Sequence, residues 1–600
     1  MSCELGRSYR HVWCVDFEYF SGDSKSDAPR PICVVAHDLI TGRTIRKWLW
    51  GNPSPQCPFP LGDDCLYVAY YAAAEVNCHI ALGWPVPTRI LDLYAEFRCL
   101  NNGRNPERLE AAKACLKKNE RHSLLACMFA YGLANDAVNA GRKDEMRNLC
   151  MRGGPYSSGE QRQILGYCHS DVVAITKLLP RMMSHIELGL ALLRGRYMAS
   201  VAAMERRGIP VDVERADGLK IIWEPIVDRL IHQRRHDLDV IGHRDVDHRK
   251  FTRWLAQHSL DASWPRCDSG IPRSDSETLS DWSTYHPAVL QLKEFLQAVR
   301  RVRLFEELSI GSDGRNRFMI SPFGSKTGRN TPSSSRSVFG PACWVRSLIQ
   351  PPPGYALLYC DWSGQEYGIA AYLSGDRRMI DDYATDDPYL GFAKRIGLAP
   401  RDATKATHPQ LRNQLKVAAG LGVLYGAQAA TVARAGAMTE SRAAHVLREH
   451  RSTYPTYWQW RQRTINHAQL TGEFKTCFGW KWQVSGDDST NSISNWMMQA
   501  HGAEMLHVAC CLAVERGVEV CTPVHDALLV QAPVDAINDV QRLTVECMEE
   551  ASSAVLRGPP LRIGVEPPIE YPNHYSDERG IAMWQQLTDI QIELEREATG

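Results

Sequence analysis

Ala356-Leu357-Leu358-Tyr359-Cys360-Asp361-Trp362-Ser363-Gly364-Gln365-Glu366 is an apolar run that ends on a carboxylate. The breaker Pro352-Pro353-Gly354 stands before it, so Ala356–Cys360 reads as a strand that carries Asp361 at its end. Far downstream, Pro523-Val524-His525-Asp526-Ala527-Leu528-Leu529-Val530 puts a second aspartate in a tight turn between two apolar runs, which reads as a strand pair. Between the two lies Leu411–Gly426, a helical segment in which Arg412 and Lys416 stand at i and i+4 and share a face. Taken singly, a strand-end aspartate is usually a turn former or cap, and two helix cations usually face water. Taken together they suit one chemistry. Two strand-end carboxylates side by side can bridge two Mg²⁺ ions roughly 3.5–4 Å apart, as nucleotidyl transfer requires, and the paired cations suit a triphosphate.

Working outward, the 600 residues exceed what one core can hold, so two to four domains are expected. With 44% hydrophobic and 23% charged residues the chain has an ordinary globular composition. Met1–His11 has no apolar core and no window approaches the roughly 18 apolar residues of a membrane helix, so a soluble, cytoplasmic, non-exported protein is expected. The 19 cysteines form no Cys-x-x-Cys pair and read as buried thiols in a reducing compartment. Lys+Arg and Asp+Glu both number 69, so the net charge gives no hint of nucleic acid. Locally, Arg300, Arg301, Arg303, Arg315, Arg317, Lys326, Arg329, Arg336 and Arg346 are opposed only by Glu306, Glu307 and Asp313. That strip reads as phosphate-contacting or, by itself, as a solvated surface.

The N-terminal half has its own carboxylates. Residues 11–100 read as α/β, with strand runs His11–Phe20, Cys33–Ala36 and Cys65–Tyr71, and residues 107–200 read as helical. Asp16 and Glu18 are at i and i+2 in the first strand, hence on one face and able to chelate one ion. Tyr167 and Asp171 are at i and i+4 in a helical pattern. From Met198 to about Phe305 the pattern stays helical, broken by a polar Trp/Pro/Ser segment near 261–286. Further helices are expected over 403–470 and 495–516. The fold class is therefore α/β plus α+β, in an N-terminal unit of about 190 residues and a larger C-terminal one.

These motifs, in this order, resemble the DNA polymerase I family (family A) over nearly the whole chain. Asp361-Trp362-Ser363-x-x-Glu366 resembles the first palm motif, Arg412-x3-Lys416 with Tyr425-Gly426 the fingers helix, and His525-Asp526 the second palm motif. Thr327-Gly328-Arg329 is similar to the primer-side loop, and Asn495-x-x-Met498-Gln499 to the helix near the template–primer minor groove. The resemblance implies that Asp361 and Asp526 hold two metal ions with the Trp362 carbonyl, and that Arg412 and Lys416 bind the nucleotide phosphates. It also implies that Lys416 protonates the pyrophosphate and Glu366 excludes ribonucleotides. Tyr425 would close beside the nascent pair, Arg329, Asn495 and Gln499 would meet the duplex minor groove, and His525 would support the primer terminus. Three departures stand out. Ala527 replaces the family's usual glutamate after His-Asp, the aromatic one turn after Lys416 is missing near Gly420 and Leu421, and Lys416–Tyr425 spans one residue more than usual. Nine helical steps put Tyr425 about 180° from Lys416, against about 80° for eight. A π-bulge, or a break at Gly420/Gly422, is therefore expected.

Asp16-x-Glu18 and Tyr167-x-x-x-Asp171 resemble the proofreading exonucleases of the same family, which implies that Asp16, Glu18, a middle acid and Asp171 bind two metals while Tyr167 orients the attacking water. For the middle acid, Glu75 fits by spacing, with Tyr71 in the place of the usual Asn; the rival is Asp92 in Arg89-Ile90-Leu91-Asp92. The implied architecture is a ribonuclease-H-like 3′–5′ exonuclease domain (1–190) followed by a right-hand polymerase: thumb 191–318, palm 319–380 and 496–600, fingers 381–495. Implied cofactors are Mg²⁺, two ions per site, or Mn²⁺. Implied partners are DNA primer–template, dNTPs and replication accessory proteins, with the chain a monomer and no membrane involved. Asp387-Pro388-Tyr389 and Trp480 look most like the phage-encoded branch, implying replication or repair in a bacterial cytoplasm. A single-subunit RNA polymerase would not carry Glu366 or a proofreading domain, and a stand-alone nuclease or a non-catalytic DNA-binding protein would not need Asp361, Lys416 and Asp526.

Overall fold

Strand β1 (His11–Phe20) is buried on both faces, Val12 and Cys14 towards one side and Trp13, Val15 and Phe17 towards the other. A strand apolar on both faces belongs at the centre of a sheet covered on both sides, and that is where it lies. The computed structural model describes residues 2–21, 27–52, 55–103, 120–133, 140–242, 245–283, 286–300, 304–340, 342–385, 387–418, 420 and 424–599. In it, β1 pairs with β2 (Arg30–Asp38), β2 with β3 (Thr44–Trp48), β1 with β4 (Cys65–Ala69) and β4 with β5 (Ile90–Asp92), in the order β3-β2-β1-β4-β5. The β1–β2 and β2–β3 pairs are antiparallel, and β1–β4 and β4–β5 are parallel.

Helix α1 (Ala72–Ala81) packs Ala72, Ala73 and Val76 on the Trp13 face, and α2 (Leu93–Leu100) follows β5 directly. Helix α3 (Ser158–Met183) packs Ile164, Cys168 and Val172 on the opposite face. Its start is fixed by a capping box, Ser157 with Glu160. Asp92 ends β5 and caps α2 by accepting the Ala95 N–H at 2.6 Å, while its other oxygen accepts the Ala72 N–H that begins α1.

Helix α4 (Leu188–Arg207) joins the two halves. A Cβ at Gly195 would lie 1.9 Å from the Ile90 carbonyl oxygen, so only glycine lets the helix approach β5 this closely. One residue earlier, Arg194 makes a buried bidentate pair with Glu96 of α2 (2.6 and 2.9 Å) and donates to the Phe478 carbonyl at 3.2 Å. The expected boundary at 190 falls inside α4. A boundary read from motif spacing cannot see a helix that both halves share.

In the C-terminal half, α5 (Val213–Gln233) and α7 (Pro287–Arg300) flank a polar stretch. The break expected near 261–286 is partly helical: α6 (Ser276–Ser283) begins where Asp275 accepts the Thr278 N–H at 2.9 Å. The second sheet is built on β6 (Tyr355–Trp362), with β7 (Glu519–Val524), β8 (Ala527–Pro533) and β9 (Ile563–Val565) in the order β7-β8-β6-β9, and β10 (Ile569–Glu570) also paired to β6. All these pairs are antiparallel. Helix α8 (Gln365–Ser374) follows β6, and α9 (Pro409–Val417) lies in the segment between the two palm-like motifs. The buried helix α10 (Thr490–Glu515) precedes β7 and spans the expected boundary at 495/496. Helix α11 (Ile581–Thr599) packs on α5 and α7. From Cys14 onward every described cysteine is a free thiol, and no described helix is long and apolar enough to cross a membrane.

The basic strip is not a row of free cations. Arg300 pairs with Asp245, Arg317 with Asp313, Lys326 with Asp488, Arg329 with Glu366 and Arg346 with Asp577, while Arg315 donates to Gln531. Arg301 and Arg303 lie outside the described residues. Arg336 is exposed and makes no side-chain ion pair or hydrogen bond among the described residues. Charge counting along the chain cannot see partners supplied by the fold.

Arg194→Met leaves Glu96 charged and unpaired in the interior, which costs about 3–5 kcal/mol. The urea unfolding midpoint should fall accordingly, and Arg194→Met with Glu96→Leu should recover much of the loss.

Candidate active sites

Strand alternation turns Asp16 and Glu18 to the same face of β1, and α3 lays Asp171 over them, with Tyr167 one turn earlier. Oxygens of Asp16, Glu18 and Asp171 lie within 4.8 Å of one another. Glu75, in the first turn of α1, is 5% exposed, and its Oε2, like Oδ2 of Asp16, has no hydrogen-bond partner among the described residues. Burial, then the charges of Glu18 and Asp171, raise the Glu75 carboxyl well above the usual range. Burial, then Glu75, Asp171 and Glu18, do the same to Asp16. Burial and the neighbouring Asp171 push the Tyr167 phenol up. The rival Asp92 spends both oxygens on the N–H groups that begin α1 and α2, so it anchors the helix that carries Glu75.

Orphaned, buried carboxylate oxygens facing other carboxylates are what a divalent cation resolves, and an all-oxygen donor set suits Mg²⁺ or Mn²⁺.

In the second centre, the register of β6 and β8 sets Ala527 opposite Asp361, so Asp526 in the β7–β8 turn stands beside Asp361. The Trp362 N–H donates to the Asp526 carbonyl at 3.3 Å. His525 makes the turn with φ 56°, in the left-handed region. Burial and the Asp526 charge raise the Asp361 carboxyl, opposed by Lys416. Burial raises Asp526, opposed by His525, Arg329 and Lys416. Burial and Arg412 lower Lys416, while Asp526, Asp361 and Asp387 pull it back up. Arg412 donates to Asp387 at 2.7 Å and lies over the Tyr389 ring.

Glu366, in the first turn of α8, accepts from Arg329 at 3.2 Å and from the Tyr425 hydroxyl, and Gln499 of α10 donates to the same hydroxyl at 3.4 Å. Asn495, one turn before Gln499, has a buried Oδ1 without a partner among the described residues. Helix α9 ends at Val417, and the described residues that follow, Ala418, Gly420 and Leu424, have π geometry. Residues 419 and 421–423, Gly422 among them, lie outside the described residues.

Two positions escaped the sequence reading. Gly564 on β9 lies opposite Asp361, where a Cβ would come within 2.6 Å of Asp361 Oδ1. A glycine inside an apolar strand was the available signal. The Lys326 carbonyl accepts from Asn102 (2.6 Å), Trp480 (3.1 Å) and Trp496 (2.9 Å), fixing the loop that carries Arg329. No local pattern marks that convergence.

Residues 334–566 match the model of DNA polymerase family A. DNA polymerase I of Caldicellulosiruptor bescii is 25% identical over 224 residues, 34% of this chain and 26% of the relative. The DNA polymerase of Escherichia phage T5 is 24% identical over 346 residues (49% of this chain, 40% of the relative), and that of Mycobacterium phage D29 is 23% identical over 379 residues (60% of each). The alignments thus span about a quarter of the length of the bacterial relatives, 26% for the first. Among solved structures, the POL domain of Pol1 from M. smegmatis, in complex with DNA primer–template and dNTP, superimposes with a TM-score of 0.67 at 15% identity, covering 95% of this chain and 97% of that one. Over residues 334–566 the chain is similar to DNA polymerase family A.

Gly564→Ala should displace the Asp361 carboxylate. Because misplacement by about 1 Å can cost on the order of 10²-fold in rate, single-nucleotide incorporation should slow by that order with the melting temperature little changed. For the N-terminal cluster, the Glu75 and Asp16 carboxyls sit above their ordinary values of 4.5 and 3.8. Their stabilising effect is therefore full below those values and is lost as pH rises through the raised ones. In EDTA the melting temperature should fall as pH is raised from about 4 towards neutrality, Mg²⁺ should restore it, and Glu75→Gln should flatten the dependence.

Proposed function

We propose that the chain is a template-directed DNA polymerase that extends a primer 3′ end with dNTPs and proofreads it with a separate 3′–5′ exonuclease centre. The observation that carries the polymerase reading is the β6–β8 register, which sets Asp361 beside Asp526 with Lys416 facing both. Mg²⁺, two ions per centre (or Mn²⁺), supplies charge neutralisation and an activated oxygen nucleophile when bound. Asp361, Asp526 and the Trp362 carbonyl would hold the ions of the synthetic centre. Lys416 and Arg412 bind the triphosphate, and Lys416 gives a proton to the departing pyrophosphate; Arg412 must first exchange Asp387 for phosphate. Glu366, held by Arg329 and Tyr425, closes the space beside the sugar C2′. Arg329, Asn495 and Gln499 meet minor-groove acceptors common to all correct pairs, and His525 supports the primer terminus.

The exonuclease reading is supported by the β3-β2-β1-β4-β5 sheet, which has the strand order of a ribonuclease-H-like domain, by the cluster of Asp16, Glu18 and Asp171, and by the buried Glu75, which acts on Asp16. Asp16, Glu18, Glu75 and Asp171 would hold the ions there, and Tyr167 orients the attacking water at the terminal phosphodiester. On this reading residues 1–190 form the exonuclease, 191–318 the thumb, 319–380 and 496–600 the palm and 381–495 the fingers. The protein acts as a cytoplasmic monomer on primer–template DNA in replication or repair, alone or with accessory proteins.

Primer extension with Mg²⁺ and four dNTPs on matched and mismatched ends tests this. Asp526→Ala should abolish extension and keep mismatch trimming, whereas Glu75→Ala should abolish trimming and keep extension. Trimming without extension by the wild type would leave a nuclease on an inactive polymerase scaffold.

A further inference from the structure

Three side chains of the N-terminal unit meet one loop of the C-terminal unit. Tyr94 and Arg98 are on α2 and Asn102 lies just past its end, each four residues from the last, the spacing that keeps side chains on one face of a helix. Their acceptors are alternate carbonyls of the loop. The Tyr94 hydroxyl donates to the Pro322 carbonyl at 3.4 Å, Arg98 to that of Gly324 at 2.5 Å and Asn102 to that of Lys326 at 2.6 Å. Asn102 also donates to the Lys481 carbonyl at 2.6 Å.

The loop is of a kind that needs holding. Ser321 and Phe323 have φ of 51° and 57°, in the left-handed region, where a residue with a side chain stays only if its surroundings keep it there. A Cβ at Gly324 would lie 1.8 Å from Thr331 Oγ1, so the loop is also pressed against its own return segment. The tether is specific in turn. Arg98 is half-buried and makes no ion pair with a described carboxylate, so its charge rests on the Gly324 carbonyl.

What the tether holds is a turn. The Ser325 N–H donates to the Arg329 carbonyl at 3.1 Å, and the Gly328 N–H to the Ser325 carbonyl at 3.0 Å. Gly324 and Lys326, whose carbonyls take Arg98 and Asn102, stand on either side of Ser325. From the end of the turn Arg329 reaches Glu366 at 3.2 Å, and Glu366 accepts the Tyr425 hydroxyl. The guanidinium of the C-terminal centre is therefore aimed by a turn whose neighbouring carbonyls are gripped from the N-terminal unit.

We propose that Arg98 and Asn102 are positioning residues for DNA synthesis, fixing the turn that aims Arg329 at the primer–template minor groove and so setting the preference for a correctly paired primer end. The proposal rests on the polymerase reading above. Matched pairs present their minor-groove acceptors at common places, so a displaced Arg329 gives up a contact on matched ends that mismatched ends do not offer. The test is single-nucleotide incorporation on matched and mismatched primer ends by the full chain, every protein carrying Glu75→Ala so that trimming does not compete. Arg98→Met and Asn102→Ala should each lower kcat/KM on matched ends about tenfold, leave mismatched ends unchanged, and add nothing further in an Arg329→Ala background. Arg98→Lys, which keeps a donor, should restore most of the loss. No loss, an equal loss on both kinds of end, or a loss that multiplies with that of Arg329→Ala would overturn the proposal and leave α2 a support of the fold only. Arg329→Ala separates the two readings: if it alone lowers matched incorporation, the polymerase reading stands and the positioning role fails, whereas if it lowers nothing the role given to Arg329 fails first and the proposal with it. Should the parent chain incorporate no nucleotide, binding of fluorescent primer–template in EDTA through the same set of variants decides: losses absent from the Arg329→Ala background support positioning, and equal or independent binding rejects it.

Discussion

Carboxylates that repel one another are forced together twice in this molecule, and much of the scaffold is what forces them. At β6 and β8 the antiparallel ladder leaves Asp361 and Asp526 no freedom to separate: the Trp362 N–H is bonded to the Asp526 carbonyl, and Gly564 closes the other side of Asp361. At β1 the pleat fixes Asp16 and Glu18 on one face, while two separate helices bring Glu75 and Asp171 against them. In each case burial adds to the like-charge repulsion and favours the protonated acid. A divalent cation reverses that preference, because its charge stabilises the ionised form that burial penalises. The two centres differ in how they meet the cost. The C-terminal one has Lys416 and Arg329 nearby as partial compensation, whereas the charges that act most strongly on Asp16 and Glu75 are other carboxylates.

The cations that do occur are mostly occupied. Arg412 on Asp387 and Arg329 on Glu366 are pairs that substrate would have to rearrange or join. Asp387 is buried and the other three side chains are half-buried, so the pairs hold the guanidinium groups in place, and a carboxylate that gives up its partner must be satisfied by another cation. The Tyr425 hydroxyl on Glu366 acts in the same way.

What could be read in the sequence was what depends on local period. Alternation placed Asp16 with Glu18, helical spacing placed Tyr167 with Asp171 and Arg412 with Lys416, and the misfit of Tyr425 announced an irregular helix. What could not be read depends on contacts between distant segments. Spacing alone left Asp92 beside Glu75 as a candidate; the difference is that Asp92 caps two helices, and a cap on Ala72 twenty positions earlier has no sequence signature. The basic strip read as free because its partners, Asp245, Asp488 and Asp577, come from elsewhere in the chain. The Lys326 carbonyl, with donors from three segments, is invisible for the same reason.

Those distant contacts also fix how the two centres stand to one another. Asp92 anchors the start of α1, which carries Glu75, and the same residue begins α2. From the far end of α2, Arg98 donates to the Gly324 carbonyl at 2.5 Å, and just beyond it Asn102 reaches the Lys326 carbonyl at 2.6 Å, so the loop bearing Arg329 hangs from the same eight-residue helix. The buried Arg194–Glu96 pair ties that helix to α4 and, through the Phe478 carbonyl, to the segment that holds Trp480. A span built from one short helix, two caps and a buried ion pair has no evident hinge. With the helix that carries Glu75 and the loop that carries Arg329 both fixed to it, the separation between these two elements is a property of the protein.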